Sequence, residues 1–352
     1  MLVGPSCSPV TGQSAMFQAA VDVFPGARVV RIKGTDRRAI IRCLFAAEFL
    51  WKYFRNLYRK EVELVYVTVS RSVSGFIRDF IVYLSARSAA KRIVFHCHGG
   101  DLHNLFNKRI FGRIASFIYR RADAIIFLNR CSIPAEIVSL KNIWIVDNCY
   151  QGFKETAPTQ APEKKWKRPG RRVTYIGNFI RQKGVDDVLD VISKINEKNS
   201  STEISFVLAG KFLNEPDLEA EVRRRAAGMS NLRLIAGPQR SQLELELKDS
   251  NFLIFPSRYP SECQPLVVIE ALVAGAIPMI TDVNGIQEQF SEFSFLKITP
   301  RDSDGMVEVL LANLSVDLSD VATANRDLAT VRFSEDKFKE SLATVLASYL
   351  RN

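Results

Sequence analysis

Short apolar runs rich in Val and Ile alternate with stretches of helical length along this chain, and the alternation occurs twice. In the first half Arg28–Ile32, Leu64–Val69, Ile93–His96, Ala124–Leu128 and Ile143–Val146 read as strands, with helices over residues 12–22, 38–59, 71–90 and 105–121. In the second half, strands at Arg172–Ile176, Ile204–Ala209, Leu232–Ala236, Phe252–Phe255 and Ile277–Thr281 alternate with helices at Gly184–Asn196, Asp217–Met229, Ser241–Lys248 and Pro265–Ala274. Such alternation is the pattern of a parallel sheet whose crossover helices cover both faces, an α/β architecture. Residues 151–170 (QGFKETAPTQAPEKKWKRPG) are rich in Pro, Lys and Thr, lack apolar periodicity and read as a linker. A chain of 352 residues supports two domains with a core each, residues 1–150 and 171–330. After Thr281 the sequence runs polar to a last helix, Glu335–Leu350, within a terminal segment 331–352. No close repeat relates the halves.

Hydrophobic content of 47% with 24% charged residues is ordinary for a globular chain, and no apolar run reaches the roughly 18 residues of a membrane span. The opening MLVGPSCSPVTG lacks the basic-then-apolar layout of a signal peptide, so the expected location is the cytoplasm. Cys7, Cys43, Cys97, Cys131, Cys149 and Cys263 form no CxxC pair and are expected as reduced thiols. The net charge of +10 is unevenly held: residues 1–150 carry 22 Lys and Arg against 10 Asp and Glu, and residues 151–352 carry 26 against 28. An anionic partner is therefore expected on the first half, an acidic membrane surface or a lipid diphosphate ahead of nucleic acid, for which no recognition motif exists.

The densest pattern is PSRYPSECQPLVVIEALVAGAIPMI, where Glu262 and Glu270 stand eight positions apart. It reads as a strand ending at Phe255, a polar loop, and a short helix with Pro265 in its first turn and Gly275 just past its end. Both acids then face a ligand over the helix start, where backbone N–H groups and the dipole attract phosphate. A second pattern, YIGNFIRQKGVDD, puts Arg181 and Lys183 on a loop between strand and helix, suited to clamping a diphosphate. The plainer alternatives are solvated acids on a structural unit and an exposed basic turn. A third, Gly4-Pro5-Ser6-Cys7-Ser8-Pro9-Val10-Thr11-Gly12-Gln13-Ser14, lets backbone approach a ligand at Gly12 and offers Thr11, Gln13 and Ser14 as donors. It is neither a GxGxxG fingerprint nor a Walker loop, which removes the main support for hydride transfer or ATP hydrolysis.

These residues resemble the Glu-x7-Glu signature of retaining glycosyltransferases of the GT-B fold, glycosyltransferase family 4 in particular. Pro256-Ser257, Glu270-Ala271, Gly275 with Pro278, and Gly177, Lys183 and Gly184 carry the resemblance further; Asn178, where an Arg is expected, and Gln264, where Gly is common, depart from it. Arg181 is the candidate substitute for the missing cation. The resemblance implies two Rossmann-like domains with parallel sheets facing a central cleft, an N-terminal domain for the acceptor, a C-terminal domain for a nucleotide sugar, and a final helix crossing back onto the N-terminal domain. By the same resemblance Glu270 holds the ribose hydroxyls and Glu262 contacts the transferred sugar near its reacting carbon. Backbone groups at Pro265 and Leu266 meet the diphosphate together with Gly177, Arg181 and Lys183, and the Gly12 loop lies beside it. His98, in His98-Gly99-Gly100-Asp101, bonds the sugar, Asp101 orients the acceptor hydroxyl, and Glu288 supports the pocket. The implied reaction is metal-independent hexosyl transfer from a UDP- or GDP-sugar with no cofactor. No well-placed nucleophile is evident, which favours attack on the face from which the diphosphate departs; double displacement is the open alternative. The implied acceptor is a glycan or lipid-linked glycan of bacterial surface polysaccharide.

Two rivals come from other classes. His96 and His98 suggest a zinc hydrolase, although the only remaining histidine is His103; a silent GT-B scaffold would keep the fold without turnover. The aromatic and basic helix Arg38–Lys60 and the run Arg109–Arg121 read either as core-packing helices or as an interface with the inner face of a membrane. Asp302-Ser303-Asp304 reads as a solvent-exposed loop without a metal.

Overall fold

The computed structural model describes residues 1–6, 11–33, 39–70, 72–150, 162–198, 203–213 and 215–350. In chain order they form β1 (Leu2–Pro5), α1 (Gly12–Val23), β2 (Val29–Ile32), α2 (Ala39–Leu57), β3 (Leu64–Thr68), α3 (Val73–Ser88), β4 (Arg92–His96), α4 (His103–Phe106), α5 (Arg109–Tyr119), β5 (Ala124–Phe127) and β6 (Ile143–Ile145). Then follow α6 (Pro162–Trp166), β7 (Arg171–Ile176), α7 (Val185–Glu197), β8 (Ile204–Gly210), α8 (Pro216–Ala227), β9 (Leu232–Ala236), α9 (Arg240–Asp249), β10 (Phe252–Phe255), α10 (Leu266–Val273), β11 (Ile277–Ile280), α11 (Ile286–Gln289), β12 (Leu296–Lys297), α12 (Ser303–Leu314), α13 (Ser319–Arg332) and α14 (Glu335–Ala347). They divide into two units, Met1–Cys149 with Glu335–Asn352, and Tyr150–Ser334. The second unit is thus inserted into the first.

In the first unit β2-β1-β3-β4-β5-β6 form a parallel sheet. The chain steps from β1 out to β2 and then back past β1 to β3, β4 and β5. Right-handed crossovers therefore send α1 to one face and α2, α3 and α5 to the other. Tyr53 of α2 donates to the Val82 carbonyl of α3 at 3.0 Å, and the Phe76 and Phe111 rings join α3 to α5 edge to face. On the opposite face α14 lies against α1, burying Phe338, Leu342, Val345 and Leu346, which recur at helical spacing. Trp144 of β6 donates to the Tyr349 hydroxyl at 3.2 Å.

In the second unit β12-β11-β10-β7-β8-β9 form another parallel sheet. Val173, Tyr175, Phe206, Leu208, Phe252, Ile254 and Met279 bury one face and Ile176, Val207, Leu253, Phe255 and Ile280 the other, as strands covered on both sides require.

Several expectations are corrected. Of the linker, residues 151–161 lie outside the described residues, while residues 162–170 are not a free connection. There α6 buries Trp166 edge-on against Phe252, and Lys165 donates to the Ala274 carbonyl at 2.8 Å. The single helix expected over residues 105–121 is two, α4 and α5. The stretch read as polar after Thr281 contains β12 and the helices α11, α12 and α13. Asp302 and Asp304 are solvent-exposed as expected, but they begin α12 rather than lie in a loop: Asp302 is its N-cap, accepting from the Gly305 amide at 2.9 Å, and Asp304 pairs with Lys194.

Candidate active site

Sheet order decides where a ligand fits the second unit. From β7 the chain runs outward through β8 to β9, then returns to lay β10 on the other side of β7. The connections leaving β7 and β10 diverge, which opens a crevice beyond their carboxyl ends. Both sequence patterns sit on those connections.

The two loops are joined by specific bonds. The Arg258 amide donates to the Gln182 carbonyl at 2.9 Å, and its guanidinium meets Asp187 at 2.7 Å and Asp186 at 3.4 Å. Burial pushes the Asp187 carboxyl up and Arg258 draws it back. Gly184 is left-handed at φ 75°, and a Cβ there would stand 2.6 Å from the Pro256 carbonyl oxygen, so only glycine lets the loops approach. Across this junction Lys183 Nζ lies 2.8 Å from Glu262 Oε1. From the loop after β11, Asn284 donates to the carbonyls of Pro260 and Glu262 at 2.7 and 2.6 Å, and Thr281 donates to Ser257. Glu262 is buried and held by three loops.

Directly beyond, α10 begins. The Pro265 carbonyl accepts from the Val268 and Ile269 amides at 3.1 and 3.4 Å, and no side chain caps the helix. Proline has no N–H to offer, so the amides available at the helix start are those of the half-buried Leu266 and Val267.

Glu270 lies on the same helix, 3% exposed. Arg240, the first residue of α9, bridges both its oxygens, with Nη1 3.1 Å from Oε2 and Nη2 on Oε1. Burial pushes this carboxyl up, Arg240 opposes the rise, and Glu244 adds to it. Sequence reasoning missed Arg240: thirty positions from Glu270, it belongs to no local pattern.

Arg181, the candidate substitute cation, lies in the turn before α7. Its guanidinium pairs with Glu221 of α8 at 2.8 Å and with Asp186 at 3.7 Å. Gly177 lies where β7 and β8 end together: its amide donates to Ala209 at 3.1 Å, and a Cβ on Gly210 would stand 1.8 Å from its carbonyl oxygen. A small cavity of about 140 Å³ lined by Lys165, Arg168, Arg171, Arg172 and Asp249 lies instead at the amino ends of β7 and β8, away from these loops.

Gly12 opens α1 beside an exposed Thr11, but the donors expected there serve the fold: Thr11 caps the helix reciprocally with Ser14, and Gln13 donates to the Val69 carbonyl at 2.9 Å. Residues Cys7–Val10 lie outside the described residues. His96 is buried with Nδ1 on the Tyr66 hydroxyl, and burial first, then the neighbouring His98, holds its pKa well below the ordinary value. The His96 and His98 ring centres are 3.9 Å apart; His98 and Asp101 follow the carboxyl end of β4, and His103 bonds the Gly100 carbonyl at 3.1 Å. Among the described residues no three His, Cys, Asp or Glu side chains assemble as metal ligands, so the hydrolase reading has no ligand set there.

Residues 170–315 match the family model for "Glycosyl transferases group 1". A GDP-mannose:cellobiosyl-diphosphopolyprenol alpha-mannosyltransferase of Xanthomonas oryzae pv. oryzae is 24% identical over 236 residues, 64% of this chain and 59% of that protein. The chain thus spans about three-fifths of the length of that curated relative. Among solved structures, Anabaena Alr3699/HepE in complex with UDP superposes with a TM-score of 0.74 at 15% identity, covering 99% of both chains. A glycosyltransferase from Rickettsia africae ESF-5 gives 0.74 at 12%, covering 100% of this chain and 98% of that one.

Proposed function

We propose that this chain, of GT-B fold and with a group 1 glycosyltransferase domain at residues 170–315, moves a sugar from a nucleoside diphosphate to a lipid-linked glycan with retention of anomeric configuration. The observation that carries this reading is the Lys183–Glu262 pair at the strand crossover point, beside the amino end of α10. In a donor complex the Lys183 ammonium and the Leu266 and Val267 amides stabilise charge growing on the leaving diphosphate, and Glu262 stabilises the positive charge developing on the sugar. The site supplies its own cation, so the reading includes metal-independent transfer. Glu270 meets the ribose and Gly177 gives the phosphates close backbone approach; His98 is the proposed sugar contact and Asp101 the proposed partner of the acceptor hydroxyl.

The donor is a UDP- or GDP-sugar: the solved Anabaena relative holds UDP, and the Xanthomonas relative is named for GDP-mannose and a diphosphopolyprenol acceptor. The proposed setting is bacterial surface polysaccharide assembly on the inner face of the membrane. Calorimetric titration of UDP and GDP with EDTA present tests the donor site. One of them binds wild type, and Lys183→Ala weakens it about tenfold or more, as loss of a charge-assisted contact requires. Equal binding by wild type and Lys183→Ala overturns the assignment.

A further inference from the structure

The clamp on Glu270 has no place in the reading above, and it rests on that reading's assignment of Glu270 to the ribose. We propose that Arg240 is a positioning residue for the nucleotide: bridging both oxygens of Glu270, it holds that carboxylate in place as the acceptor of the ribose hydroxyls.

The geometry allows both contacts at once. A carboxylate offers about four acceptor directions, and a guanidinium fork uses one on each oxygen. One direction per oxygen remains, which matches a vicinal diol. Arg240 is itself fixed: it opens α9 after the left-handed turn at Gly237, and its Nε lies 3.4 Å from Glu244 Oε1, one turn along the helix. Its donors thus serve two carboxylates, which suits an orienting group.

The surroundings explain why a clamp is needed. Glu270 projects from LVVIEALV, in which Val268, Ile269, Ala271 and Leu272 are buried. The neighbouring strands β10 and β11 present only apolar residues. The helix α13, which packs on α10, buries Ser319, Ala322, Asn325 and Ala329, while its Arg326 pairs with Asp327, its Arg332 with Glu292, and its Asp320 is exposed. Lys165 sits beyond the far end of α10, on the Ala274 carbonyl. Among the described residues Arg240 and Glu244 are therefore the charged groups that act on Glu270, and of these Arg240 favours its ionised form. Without Arg240 the carboxyl takes up a proton as pH falls and becomes a poorer acceptor.

The test titrates UDP and GDP into wild type, Arg240→Ala, Arg240→Lys and Glu270→Gln from about pH 8 to about pH 6, where an unshifted Glu stays ionised. Thermal melts of the unliganded proteins confirm that each folds. In Arg240→Ala, affinity starts about tenfold lower and falls further toward pH 6, whereas wild type holds level. Arg240→Lys restores the level profile because its charge remains, with part of the affinity. If Glu270→Gln binds weakly but Arg240→Ala matches wild type throughout, the inference fails and the donor site stands. If Glu270→Gln binds as well as wild type, the ribose assignment fails and the inference with it.

Discussion

At the scale of single residues, the site depends on glycines that leave no room and on charges that hold one another. Gly210 is the sharpest case, since a Cβ there would stand 1.8 Å from the Gly177 carbonyl oxygen. Gly210→Ala is expected to cost about 2–3 kcal/mol by forcing β7 and β8 apart at their carboxyl ends, measured by urea denaturation. Gly228→Ala, whose Cβ would find only the Arg225 carbonyl at 3.6 Å, is expected to stay within about 0.5 kcal/mol. Much of this scale was legible in the sequence. Lys183 and Glu262 were singled out separately, and the structure joins them. The partners were not legible: nothing near Glu270 points to Arg240, and nothing near Arg258 points to Asp187, seventy-one positions away. Ion pairs between elements distant in sequence are set by the sheet order that brings those elements together, and local pattern carries no record of that order.

At the scale of elements, α6 and α10 show how a segment read as a linker supports the site. Lys165 of α6 is 4% exposed and closes the carboxyl end of α10 by donating to Ala274, where a cation also meets the negative end of the helix dipole. Burial lowers its pKa to about 7. Above that pH the unfolded chain binds the proton that the folded chain has released, so stability rises with pH until the unfolded lysine also titrates. Lys165→Met has no such dependence. Wild type is therefore expected to gain about 3 kcal/mol on the variant between about pH 6 and about pH 9, read from paired denaturation curves. A gap that does not change with pH would show that Lys165 keeps its charge in the fold. The helices that went unread differ in why. In α12 the signal was present, with Asp302 as cap and Met306, Val307, Leu310 and Leu314 on one face. In α13 the buried positions are Ser319, Ala322, Asn325 and Ala329, too small and polar to draw an apolar stripe.

At the scale of the whole molecule, the first unit turns an apolar and basic layer outward. α2 exposes Ile40, Leu44 and Trp51, α3 exposes Ile77, Ile81 and Leu84, and α5 exposes Ile110 and Phe117, all on one face of the sheet. Arg55 lies over Trp51 and Arg121 over Phe117, apolar rings beneath charged tips, while α5 carries no acid and Glu48 of α2 is bound by Lys33 and Lys52. No helix among the described residues is long and apolar enough to cross a membrane. This layer supports the proposed docking to an anionic bilayer by its surface. In vesicle sedimentation, wild type is expected to bind phosphatidylglycerol-containing vesicles over neutral ones and to dissociate in high salt, with Ile110→Asp/Phe117→Asp lowering binding about tenfold or more. Equal binding to neutral and anionic vesicles would remove the electrostatic part of the proposal. The insertion of one unit into the other has a further consequence, for biosynthesis. All of residues 150–334 are made before α14, so the donor unit has its whole sequence while α1 still lacks the helix that covers it. The half of the molecule that leaves the ribosome first is the last to be finished.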